Sequence, residues 1–296
     1  MKTLRVAVLF LLCLTHSVAY SIYFNSLNIR SFDGTNGIGE VDIYELIDYI
    51  NVDDEIQIDV SIIFNSNRRI PSKMFGYGWW FGLTDSYISK VSHDSYKFVK
   101  PNRDELILRQ DLKNKERFNS EISGHKLEKE GNGYLIYGCC GESFYYEKNI
   151  LTQTRYENGT VLSFKYEKGK LKEVISNNKP VLSFRYENDD VIYMDLIEKK
   201  RTIRFKLMEV PGYGKLLSEY ADFPEAKRLK KFSYKFYDNN ISEITITQNN
   251  AARKFFWESD TGFIVKEESY RNSKLVDAYE YQIANRDDPD IYKYIK

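Results

Sequence analysis

The chain has 296 residues, with 43 Lys and Arg balanced by 43 Asp and Glu, and 15% of it is aromatic, including 24 Tyr. Balanced charge gives no electrostatic basis for binding nucleic acid or an anionic membrane. Six Pro and 42% hydrophobic residues exclude a disordered chain and supply a core for one large or two small domains.

Residues 1–19, MKTLRVAVLFLLCLTHSVA, carry a basic start at Lys2 and Arg5, an apolar run and a small-x-small site at Ser17-Val18-Ala19. This is the layout of a secretory signal peptide cleaved near Ala19. The run from Val6 to Thr15 is shorter than the roughly 20 residues of a membrane span, and Leu12 precedes Cys13 where a lipoprotein carries a small residue. No later stretch reads as a transmembrane segment, so the expected location is secreted or periplasmic. Cleavage leaves 41 bases and 43 acids, with Cys139 and Cys140 as the remaining cysteines. Neighbouring Cα atoms lie about 3.8 Å apart, below the usual disulfide span. A strained vicinal disulfide and two buried thiols both stay open.

Along the mature chain, VDIYELIDYI (41–50) has the 3–4 spacing of a helix but reads equally as two short strands. QIDVSIIF (57–64), YKFVK (96–100), ELIL (105–108), GYLIYG (133–138), ESFYYE (142–147) and ISEITITQ (241–248) carry strand signals, in places with strict alternation, with turn residues between them. PEAKRLKKF (224–232) reads as a loop or a single turn. The expected fold class is all-β and antiparallel.

One pattern repeats. RYENGTVLSF, KYEKGKLKEV and RYENDDVIYM place Tyr156, Tyr166 and Tyr186 before an acid and a turn. FYDNNISEI sets Tyr237 in the same frame, and FWESDTGFIV sets Trp257 there. Each unit is two short strands joined by Asn, Gly or Asp, which suit tight hairpin turns. A lone hairpin is marginal in water, so stacked copies bury their aromatic faces on one another. The stretch 207–231 breaks the period.

Upstream, IIFNSNRR…KMFGYGWWFGLTDSY (62–87) puts Phe64-Asn65-Ser66 at a strand end, followed by Gly76-Tyr77-Gly78-Trp79. Together with the Tyr-acid-turn units, this resembles the RHS (rearrangement hotspot) or YD-repeat family over about residues 37–260. After the signal peptide (1–19), the resemblance implies an antiparallel N-terminal β domain (20–150) and a region of stacked, degenerate YD-type hairpins (151–296). Longer members wind their repeats into a shell around a toxin or other cargo. This chain would be a fragment or minimal member without a toxin domain. In the Gly-Tyr-Gly-Trp turn, Gly76 and Gly78 permit backbone conformations closed to other residues, and Trp79 is expected in the core. Trp80, on the other face by alternation, is a candidate ligand platform.

Chemistry is sparse. His93 and His125 sit among polar residues without metal-ligand spacing and are expected on the surface or in turns. Asp53-Asp54-Glu55 and Asp287-Asp288-x-Asp290 are the densest acidic clusters; the first could bind Ca²⁺ loosely but lacks the spacing of a Ca²⁺ loop and reads as a solvated acidic turn. Asn158-Gly159-Thr160 is both a glycosylation sequon and a hairpin turn. No catalytic residue, metal or cofactor is assigned. The expected function is that of an exported, non-enzymatic β-repeat scaffold whose partner is another protein or a cell-surface glycan. Two alternatives stand beside it: a carbohydrate- or surface-binding module using Trp80, and a hydrolase whose carboxylates converge only in three dimensions.

Overall fold

The structure, a computed structural model, describes residues 27–29, 41–54, 56–64, 71–72, 74–100, 105–120, 123–138, 141–237, 240–258, 264–283 and 292–295. These residues form strands and turns with no helix, so the all-β expectation holds. The first six strands are β1 (Leu27–Ile29), β2 (Val41–Asn51), β3 (Gln57–Phe64), β4 (Pro71–Ser72), β5 (Gly76–Tyr77) and β6 (Trp79–Phe81). The next ten are β7 (Tyr87–Ser92), β8 (Ser95–Val99), β9 (Glu105–Gln110), β10 (Arg117–Asn119), β11 (Lys126–Glu130), β12 (Gly133–Tyr137), β13 (Ser143–Glu147), β14 (Ile150–Arg155), β15 (Val161–Glu167) and β16 (Lys170–Ser176). The last ten are β17 (Lys179–Tyr186), β18 (Val191–Leu196), β19 (Arg201–Val210), β20 (Gly214–Phe223), β21 (Lys230–Tyr237), β22 (Asn240–Gln248), β23 (Ala251–Trp257), β24 (Ile264–Arg271), β25 (Lys274–Ile283) and β26 (Tyr292–Ile295).

Two antiparallel sheets result. From β7 to β26 every strand pairs with the next, giving one uninterrupted meander. The second sheet has four strands in the order β1-β2-β3-β6. Its residues Ile43, Ile62, Phe64, Trp79 and Phe81 share one hydrophobic cluster with meander residues as distant as Phe255 and Trp257. Its other face carries Ile63 and Trp80, which pack with Val99 of β8. The small sheet is therefore an inner layer, buried on both sides.

Residues 41–50, whose spacing suits a helix as well as strands, belong to this inner layer. They form neither a helix nor two strands but a single strand, β2, with a register shift between Leu46 and Asp48. Before the shift Ile43, Glu45 and Ile47 alternate inward, and after it Ile50 and Val52 do. A bulge inserted into a period of two yields apolar spacings of four and three, which mimic a helix.

The meander turns follow the chemistry expected of them. Positive φ at both central residues marks Lys148-Asn149, Lys168-Gly169, Asn177-Asn178 and Asn272-Ser273, the conformation that matches strand twist in two-residue hairpins. Residue 150, the expected boundary, is the first of β14 and lies inside the β13–β14 hairpin. The hydrophobic cluster continues across it. The irregular stretch 207–231 contains the ends of a long hairpin, β19–β20, and residues 224–229 form turns that follow a cis Phe223-Pro224 bond.

Candidate functional site

Three features place the sequence-predicted residues. The first is the Gly-Tyr-Gly-Trp junction. Gly76 has φ +84° and Gly78 has φ +73°, a region L side chains rarely adopt. Gly76 also pairs with Leu216 of β20, and a Cβ there would meet the Lys215 carbonyl oxygen at 2.0 Å. The motif thus docks the β4–β5 hairpin onto the middle of the meander. Trp79 follows, fully buried, 5.2 Å from the Phe64 ring and 4.9 Å from that of Phe232. Its Nε1 donates to the Tyr234 hydroxyl at 2.7 Å, which donates to the Leu217 carbonyl at 2.6 Å.

Trp80 is only 3% exposed, with its ring 6.2 Å from that of Tyr87. This corrects its assignment as a ligand platform: a strand between two layers buries both faces. Asn65 and Ser66, Cys139 and Cys140, the signal peptide and the acidic run at 287–290 lie outside the described residues.

The second feature is a series of tyrosines. Tyr166 donates its hydroxyl to the Leu151 carbonyl at 3.0 Å, and Tyr186 to the Leu171 carbonyl at 2.9 Å. Ladder pairing between β14 and β15 stops at Gln153↔Ser163, and between β16 and β17 at Glu173↔Ser183. Where the strands part, a carbonyl loses its backbone donor, and the tyrosine of the next strand supplies one. Tyr234 repeats the arrangement on Leu217, past the last β20–β21 pair Glu219↔Lys231. Burial pushes the hydroxyl pKa of all three tyrosines up. Tyr156 packs against the same core, its pKa pushed up to about 12 by desolvation, and Trp257 is buried.

Tyr237 is 59% exposed, against the expectation that it packs. In the β15–β16 hairpin, Tyr166 pairs with Leu171 after a bulge and Glu167 pairs with Lys170 at the turn. In the β21–β22 hairpin, Phe236 pairs with Ile241 after the bulge and Tyr237 pairs with Asn240. Tyr237 therefore occupies the acid position of the unit. The hydroxyl role passes to Tyr234, because β21 runs two residues farther beyond its preceding strand.

The histidines divide. His93 is exposed, its imidazole beside the Asp94 carboxylate. His125 is 1% exposed, with Nδ1 2.9 Å from the Ser123 hydroxyl and its ring 6.4 Å from Phe98. This corrects its expected surface position: the strand that follows it, β11, pairs on both sides and draws its entry into the core. Asp53 is not simply solvated either. It accepts from the Asn158 side-chain amide at 3.1 Å and from the Thr160 hydroxyl, tying the inner sheet to the β14–β15 turn.

The third feature was not legible in sequence. Where β2 passes the β18–β19 and β20–β21 turns, a cleft of about 300 Å³ opens, floored by Leu46, Ile47, Ile203 and Tyr220. Its rim is charged. Asp48 accepts from Lys199 and Arg201. Arg201 Nε donates to Asp222 Oδ1 at 2.7 Å, and Arg228 forks onto the same carboxylate at 2.8 and 2.9 Å. Lys230 binds Glu45, which also accepts from the Tyr220 hydroxyl at 3.2 Å. Asp48 and Asp222 thus flank one guanidinium, with every carboxylate oxygen bridged to a cation. The acids came from β2 and β20, the cations from turns and from β19 and β21. Such cross-sheet convergence has no sequence periodicity.

Among the described residues no group of three or more His, Cys, Asp or Glu could hold a metal ion, and no helix is long and apolar enough to cross a membrane. No family model matches the chain, and no curated protein matches it. Among solved structures, a porin-like protein from Bacteroides uniformis ATCC 8492 aligns with a TM-score of 0.32 at 9% identity, over 79% of this chain and 96% of that one.

Proposed function

We propose that this protein is an exported, non-enzymatic β-repeat scaffold related in design to the RHS/YD-repeat proteins, and that it works by presenting its outer surface to a partner. The observation that carries the reading is the recurrent tyrosine device, Tyr166 on Leu151, Tyr186 on Leu171 and Tyr234 on Leu217. The same hydrogen bond at three strand partings gives two motif tyrosines, Tyr166 and Tyr186, and the displaced Tyr234 an architectural purpose, and a residue spent on architecture is not one placed for a reaction. The inner sheet fills the space beneath the repeats with Phe64, Trp79 and Phe81. What such repeats enclose here is the chain's own N-terminal sheet, which supports a scaffold without cargo. A glycan-binding reading loses its platform with the burial of Trp80. The partner is then a protein or cell-surface group met by the outer face.

The test is to identify the mature N-terminus and location in the native host, with cross-linking on intact cells. The reading expects a chain starting at Tyr20, outside the cytoplasm, cross-linked through outward-facing meander residues. An unprocessed Met1 form confined to the cytoplasm would overturn export. Turnover of a glycoside or ester that is lost in Asp48→Asn or Asp222→Asn would overturn the non-enzymatic assignment.

A further inference from the structure

The charged cleft between β2 and the β18–β21 region has an arithmetic of its own. Its lining carries three cations, Arg201, Arg228 and Lys230, and two carboxylates, Asp48 and Asp222, with Lys199 and the buried Glu45 paired to it from outside. One positive charge is in excess. Arg201 spends Nε on Asp222 and Nη1 on Asp48, and Arg228 spends Nε and Nη2 on Asp222. Arg201 Nη2 and Arg228 Nη1 have no hydrogen-bond partner among the described residues. Both guanidiniums line the cleft and are anchored to the Asp222 carboxylate, so they are held in place before any ligand arrives. Pre-organisation of this kind reduces the entropy lost on binding. The floor beneath them is apolar, formed by Leu46, Ile47 and Ile203.

Each spare nitrogen can give an anion one charge-assisted hydrogen bond, a single excess positive charge suits a monoanion, and a small site with an apolar wall and a few polar groups is the usual form of a ligand pocket. We propose that this cleft binds a carboxylate attached to a compact apolar group, with the carboxylate on Arg201 and Arg228 and the apolar group on the floor. One such group neutralises the excess charge. The chemistry is shared by a small free acid and by the C-terminal residue of a peptide. Gln248 lines the same cleft. The inference goes beyond the scaffold reading and does not depend on it, since the cleft is built by the contact between the two sheets whatever meets the outer face.

Calorimetric titration of the full chain tests it, with benzoate, its neutral isostere benzamide, acetate, inorganic phosphate, and a tetrapeptide ending in Leu as free acid and as amide. Benzoate or the free-acid peptide should bind about tenfold or more tightly than its neutral counterpart, a difference of roughly 1.4 kcal/mol. Acetate and phosphate should bind more weakly than either acid. Benzoate alone assigns a small free acid, and the free-acid peptide assigns a chain terminus. Arg228→Gln removes a half-exposed guanidinium and should weaken binding about tenfold on the same scale. Gln248→Glu cancels the excess charge and should do likewise. Unchanged melting temperatures for both variants separate lost binding from lost fold. Acid and neutral probes titrating alike, phosphate equalling benzoate, or full affinity in both variants would overturn the proposal.

Discussion

The inner sheet and the meander bury apolar residues in different ways, and the difference shows in their sequences. In β3 the last five residues, Val60–Phe64, are all buried, as are all three of β6. In β15 and β18 buried and half-exposed residues alternate. A strand covered on both faces can be apolar throughout, whereas one with a solvated face alternates. SIIF and WWF are therefore the mark of a middle layer, and VLSF and VIYM the mark of a shell. The inner sheet relies on large side chains held from two sides. The meander relies on repeated local devices, namely turns, bulges and tyrosine hydroxyls.

Raising pH should produce the largest effect and should act chiefly on the meander, which holds more of the buried tyrosines than the inner sheet with its Tyr44. Tyr156, Tyr166, Tyr186 and Tyr234 are all held neutral by burial, Tyr156 up to about pH 12. In the unfolded chain they ionise near pH 10. Above that pH the unfolded state loses protons first, so stability is complete below about pH 10 and falls as pH rises toward 12 and beyond. Denaturant midpoints should be flat from pH 8 to about 9.5 and drop steeply above it. A flat profile to pH 12 would contradict the burial of these hydroxyls.

Within the inner sheet, Trp79→Ala should cost about 3–5 kcal/mol, the scale for a buried large aromatic, and it also leaves the Tyr234 hydroxyl without its donor. A melting temperature lowered by less than about 2 °C would place Trp79 outside the core. At the seam between the two regions, Gly76→Ala should be more damaging than Gly78→Ala. The second meets a positive φ, worth about 1 kcal/mol or more. The first meets that and a backbone carbonyl as well. Equal urea midpoints for the two would remove the special role given to the β5–β20 contact.

Single hydroxyls are the smallest change. Tyr186→Phe should cost about 1–3 kcal/mol by leaving the Leu171 carbonyl unpaired, whereas Tyr237→Phe, at an exposed turn, should be within about 0.5 kcal/mol of wild type. Matching losses at both sites would show that the tyrosine frame is misplaced.

Much of the architecture was legible because it is local. The hairpin turn at Lys168-Gly169, the strand character of 57–64 and 241–248, and the positive φ of Gly76 and Gly78 follow from residue chemistry alone. What escaped was relational. The bulge in β2 disguised its period. Tyr237 kept the motif while β21 moved two residues past it. His125 and Trp80 are buried by layers that no local window contains. The cleft escaped for the same reason: Asp48, Arg201 and Asp222 are separated by up to 174 positions, and only the stacking of the two sheets brings them together.

The central claim is that the inner sheet and the meander are one folding unit with a shared core. Native-state hydrogen exchange of the whole chain tests it most directly. Amides of β3 and β6 and those of β15 to β19 should show the same opening free energy, equal to that of global unfolding, and should lose protection together as denaturant is added. Protection persisting in β15 to β19 after β3 and β6 have exchanged would show a meander that stands without its inner layer, and would contradict the account.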